Sequence, residues 1–164
     1  MKAESSMQIG RAFLLAVAVT VCGCRGGVVE TATTRYSSYQ SAVIDGALKR
    51  GWLPQSLPES ARDIVETHNV DTGEMWLRFQ YDPNDIAEFL GSCVVVTNPK
   101  RPSAERTRKL AQWWPRMLVG ADVRVPNTMR AYRCEKMPHA QSELPASVVL
   151  SPEEATAWYW VGVP

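Results

Sequence analysis

The chain has 164 residues, with 18 Lys+Arg and 17 Asp+Glu, which is room for a leader and one domain and too little for two ordinary domains. Setting aside residues 1–23, which hold Lys2, Arg11 and Glu4, takes two from the 18 bases and one from the 17 acids and leaves 16 of each sign. A neutral domain has no bulk electrostatic reason to seek nucleic acid, so none is expected as a partner. All six tryptophans, at 52, 76, 113, 114, 158 and 160, lie in that remainder and supply enough apolar area for a real core.

The first element is a leader. Arg11 precedes the apolar run Ala12 to Val21, followed by Cys22-Gly23-Cys24. A basic n-region and an apolar stretch of about 7–15 residues describe a secretory signal, and this run is too short to span a bilayer permanently. Met7 is an alternative start to Met1 and would shed Glu4. The order Val21-Cys22-Gly23-Cys24 resembles a lipobox of bacterial lipoproteins: an aliphatic residue, a tolerated residue, a small residue and the cysteine that takes lipid. Cys22 fits worse, because Val21 would then stand where a small residue is required. The resemblance implies cleavage before Cys24 and a diacylglyceryl (palmitate-type) thioether there, a durable attachment. It implies a cell-envelope location and, if the host is Gram-negative, Arg25 in place of aspartate points to the outer membrane facing the periplasm. An ordinary signal peptide or an uncut N-terminal anchor remain the alternatives. The expected organisation is signal peptide 1–23, lipidated flexible tether 24–37 and globular domain 38–164.

Residues 25–37 are rich in Gly, Thr and Ser and read as tether. Ser38 to Arg50 has helical spacing, with Tyr39, Val43, Ala47 and either Ile44 or Leu48 inward, and Gly51 as the stop. Trp52 to Pro58 carries two prolines and is irregular or extended. Ile64 to Val70 and Glu74 to Tyr81 read as strands joined across Asp71-Thr72-Gly73 in a hairpin. Met75, Leu77, Phe79 and Tyr81 share the face expected to be core. Asp82-Pro83 opens a short helix through Leu90, with Asp82 as N-cap. Cys93 to Thr97 is a brief strand, and Ser103 to Gln112 is a helix capped by Ser103. Thr128 to Lys136 alternates as a strand. Ser151 to Glu154 makes one turn, and Ala157 to Val161 is a final, well-covered aromatic strand. Four to five strands with short helices between them predict an α+β domain with a mainly antiparallel sheet.

Cys93 and Cys134 are the cysteines that processing would leave, and an even pair in an exported domain predicts a disulfide. No further Cys or His sits at ligand spacing, so no metal and no cofactor is expected. His68, with Glu66 or Asp71, could form a base and its orienting carboxylate, which is the hydrolase alternative. Residues of this kind beside a turn are more often simply solvated, and no catalytic or phosphate-loop motif is present. Gly51-Trp52-Leu53-Pro54, Leu57-Pro58-Glu59-Ser60-Ala61 and Asn69-Val70-Asp71-Thr72 resemble a stretch of uncharacterised small envelope lipoproteins. That likeness implies a shared local fold and brings no activity. Its prolines pre-set a clamp that plugs Trp52, Leu53 and Leu57 into the core edge; alternatively Trp52 stacks a small molecule or glycan in a groove. Lys100, Arg101, Arg106, Arg108 and Lys109, followed by Trp113-Trp114, form a basic segment suited to an anionic envelope surface, or else a solvated helix face. The expected function is therefore a non-catalytic contact or binding module, held to a membrane by lipid and meeting an envelope protein or an anionic surface.

Overall fold

In the computed structural model, residues 31–91, 93–120, 125–134 and 145–162 are described. The expected signal peptide, Cys24 and His139 lie outside the described residues. Period-two alternation builds the centre of the molecule. In β3 (Met75–Gln80), Met75, Leu77 and Phe79 face one way and Trp76 the other, all of them buried. β3 pairs with β2 (Arg62–Asn69) through the expected hairpin, and with β7 (Thr156–Val161) on its other side. In β7 all six residues are buried, as expected for a strand with aromatic residues on both faces.

The complete sheet has seven antiparallel strands in the order β1-β2-β3-β7-β6-β5-β4, so it is larger than the four to five strands expected. Two strands account for the difference. β1 (Thr31–Ser38) takes up residues 31–37, which were read as tether. Only Tyr36 of β1 is buried, so the strand shows no amphipathic alternation; its β-branched threonines and its backbone pairing with β2 hold it at the edge. β6 (Ala146–Ser151) is buried at every position, and strands covered on both faces lose the alternation that identifies them. β5 (Arg130–Cys134) and β4 (Cys93–Val96) complete the sheet, with β4 at the second edge.

Both faces of the sheet are covered. On the first, α1 (Tyr39–Asp45), the segment Trp52–Pro58 and α2 (Ile86–Phe89) close over Ile64, Leu77, Phe79, Val148 and Tyr159. α1 begins at a capping box in which Ser38 and Ser41 bond each other's backbone N–H. It ends early, at Gly46 with φ 79°, rather than running to Arg50. That shortening turns Val43 and Ile44 outward, while Ala42, Ala47 and Leu48 pack inward, which corrects the expected inward set. Asp82 likewise caps a turn, accepting from the Asn84 N–H at 2.9 Å, and α2 proper starts four residues later. On the second face, α3 (Ala104–Leu110) and the segment Trp113–Leu118 cover Trp76, Val149, Trp158 and Trp160. Cys93 and Cys134 lie directly opposite each other on β4 and β5 and form the disulfide.

Candidate functional site

β2 carries Glu66 and His68 two residues apart, so both point into the layer beneath α1 and the Trp52–Pro58 segment. His68 Nδ1 lies 3.1 and 3.0 Å from the two carboxylate oxygens of Glu66. Neither residue is solvated, as turn-proximal polar residues were expected to be: Glu66 is fully buried and His68 is 7 % exposed. Burial drives the Glu66 carboxyl above its usual range, an effect that the His68 bond and charge, the Thr34 hydroxyl and the Arg50 charge partly offset.

Trp52 closes the pair from above. Its ring stacks on His68 with centroids 4.5 Å apart, and the Arg50 guanidinium sits 3.9 Å from the indole centroid. Arg50 also pairs with Asp45, whose carboxylate accepts from the Tyr36 hydroxyl at 2.9 Å. Burial and Asp45 together push the Tyr36 phenol up to about 12. Asp45 moves the other way, held low by its bonds to Tyr36 and Arg50. The His68–Glu66 contact that the hydrolase alternative requires is formed, whereas Asp71 sits exposed on the hairpin turn with no bond to His68 among the described residues. A base that attacks substrate needs an open approach. Here the approach to the imidazole is occupied by an indole, and Trp52 is a lid on the core rather than an open stacking platform.

The remaining tryptophans are also engaged. Trp114 packs edge-on against Trp113 and Trp160, at 5.5 and 5.8 Å. Trp113 Nε1–H donates to Thr67 Oγ1 at 2.9 Å, Trp76 Nε1–H to Thr107 Oγ1 at 3.2 Å and Trp160 Nε1–H to the Lys100 carbonyl at 2.9 Å. In sheet order these bonds run from β7 through β3 to β2, so the segment 100–113 crosses the strands transversely. It does so near the end of the sheet that holds Asn69, Met75 and Val161.

This crossing decides the fate of the five basic residues. Arg106 is ion-paired with the buried Glu74, which also accepts from Thr72 Oγ1 at 2.8 Å. Arg101 is partly buried, reaches the Gly120 carbonyl at 3.4 Å and is lowered in pKa by that burial. Lys100, Arg108 and Lys109 are exposed. The basic segment is therefore a three-charge rim with two anchored members, and its aromatic followers face the core. A cleft of about 380 Å³ separates α3 from the β2–β3 hairpin, lined by Asn69, Asp71, Thr72, Glu105, Arg106 and Lys109. Glu74 and Asn69 were missed in the sequence because their partners, Arg106 and Thr31, lie 32 and 38 residues away. Arg50 was missed because a cation two residues before an aromatic does not by itself show that the turn at Gly51 folds one over the other.

Among the described residues no His/Cys/Asp/Glu group is arranged to hold a metal ion, and no helix is long and apolar enough to cross a membrane. No match is found among curated proteins or among solved structures. One family model does match, over a stretch that includes β1, α1, the Trp52–Pro58 segment, β2 and β3 and with them the Glu66–His68 pair: residues 30–80 of the chain are similar to the YbbD head domain.

Proposed function

We propose that this chain is a lipid-tethered protein of the bacterial cell envelope whose domain works by contact and not by turnover. The observation that carries the reading is that the chemistry-bearing side chains are spent inside. The imidazole–carboxylate pair is closed by Trp52, and indoles from both faces are packed or hydrogen-bonded. Outside lie charged groups together with the exposed Ile44, Val70, Val94 and Val95, a surface suited to recognition of an envelope protein or an anionic polymer or lipid. The run Ala12 to Val21 followed by Gly23-Cys24 supports export and lipidation at Cys24, which would hold the domain near such surfaces at high effective concentration. A stacking groove at Trp52 and a hydrolase built on His68 are less well supported, since each needs the open face that the Arg50–Trp52–His68 stack fills.

The test is cell fractionation with Cys24→Ser. The unchanged protein should sediment with membranes and incorporate labelled palmitate, and the variant should do neither in processed form. Palmitate incorporation by the variant equal to that of the unchanged chain would reject the anchor.

A further inference from the structure

β1 begins at Thr31, at one end of the sheet, and that end has a chemical character of its own. Asn69 Nδ2–H donates to Thr31 Oγ1 at 3.1 Å, and Asn69 Oδ1 accepts from the N–H groups of Asp71 and Thr72 at 3.1 and 2.9 Å. One side chain thus ties the chain entry to the tip of the β2–β3 hairpin. At that tip Val70 is 47 % exposed. Lys109 lies across the narrow cleft from the hairpin, and the same basic rim continues to Lys100, whose carbonyl is held by Trp160 at this end of β7. Asp71 and Glu105 oppose these cations only in part.

The far end is acidic. Ser60 Oγ–H donates to Asp85 at 2.8 Å, the Asp82 N–H donates to Ser60 Oγ at 2.9 Å, and the Tyr81 N–H donates to the Ala155 carbonyl at 3.0 Å. These bonds gather Glu59, Asp82, Asp85, Glu88, Glu153 and Glu154 around the opposite strand ends, where Asp63 adds an acid and Arg62, Arg78 and Arg130 are nearby bases, Arg78 donating to the Asp63 carbonyl at 3.5 Å. The eight residues of β1 separate the two ends by roughly 24 Å. That is about three Debye lengths at physiological ionic strength. A surface touching one end therefore does not feel the charge of the other, and the near-zero net charge hides a cationic end.

From these observations we infer that the end formed by Thr31, the Val70 hairpin tip and the Lys100–Lys109 rim is a docking face for an anionic lipid bilayer, with the acidic end directed away. The inference rests on the lipid-tether reading. Seven Cα steps separate Cys24 from Thr31, so a lipid on that sulfur keeps this end within about 25 Å of the bilayer whatever path the chain takes. Val70 supplies an apolar tip for the interface, and Lys100, Arg108 and Lys109 supply charge at headgroup depth.

The experiment uses the full processed protein in vesicles, with Val70→Cys or Glu154→Cys as the only free thiol and a membrane-impermeant maleimide as the probe. Intact mass first reports whether Cys24 carries lipid. On phosphatidylglycerol vesicles the thiol at 70 should react at least threefold more slowly than on phosphatidylcholine vesicles, and the thiol at 154 equally fast on both. Adding Lys100→Glu and Lys109→Glu should abolish the protection, while an unchanged melting temperature shows that the fold survives. A lipidated protein whose thiol at 70 reacts alike on both vesicles overturns the docking face and leaves the tether standing. Protection in cell membranes but not in protein-free vesicles assigns the face to a protein and overturns the lipid assignment. Absence of lipid on Cys24 overturns the tether and the inference with it.

Discussion

At the residue scale the carboxyl of Glu66 is fully buried, and burial works against its ionised form. Thr34 and Tyr36 on β1, His68 on β2 and Arg50 beside Trp52 are the polar groups that face it. Its pKa is raised by folding, so its contribution to stability is complete below the unfolded value, near ~4.3, and is lost as pH rises through the folded value. Glu66→Gln keeps an acceptor for His68 and removes the charge. Relative to the unchanged protein, it should gain in unfolding free energy as pH rises from 4 to 8. A difference that stays constant across that range, measured by urea unfolding, would count against burial as the cause. Trp52→Ala should uncover the imidazole. Acylation of His68 by an imidazole-directed reagent, slow in the folded protein, should then become at least tenfold faster, at a stability cost of about 2–4 kcal/mol. Equal rates would show that the indole does not seal the pair.

At the scale of elements, how much the sequence reveals depends on which force builds each one. β3, β5 and β7 were legible because their alternation or aromatic content reflects burial that the sequence itself carries, and β2 because the Asp71-Thr72-Gly73 turn joins it to β3. β1 was not, since a polar edge strand owes its form to the neighbour it bonds, and Thr31 to Arg35 look the same in a tether. β6 left a signal, the run Val148-Val149-Leu150, that is too short to separate from a turn without knowing that β7 lies beside it. The disulfide could be anticipated from cysteine count and the expectation of export, but not its place, which fastens the edge strand β4 to the sheet. For a loop of 41 residues the chain-entropy account gives about 3–4 kcal/mol. Replacing Cys93 and Cys134 by serine should cost that much, and β4 amides should exchange well before those of β3 and β7. Synchronous exchange of all three strands would show that the bridge does not localise stability.

On the scale of the whole molecule, charge placement matters more than charge total. The composition, 18 bases against 17 acids, suggested an electrostatically indifferent domain. Among the described residues the fold gathers Lys100, Arg108 and Lys109 at one end and Glu59, Asp82, Asp85, Glu88, Glu153 and Glu154 at the other, because α3 lies across one end of the sheet and the turns after β3 and β6 lie at the other. The candidate site was legible in parts: the His68–Glu66 spacing and the basic run could be read locally, while the Trp52 lid and the Arg106–Glu74 pair arise from contacts between distant segments. The account as a whole stands on one proposed covalent bond, at the sulfur of Cys24. Mass spectrometry of the N-terminal peptide from purified protein measures it directly. The account predicts a peptide beginning at Cys24 and heavier by a diacylglyceryl group. A peptide that extends upstream of Cys24, or one with an unmodified thiol at that position, would contradict it.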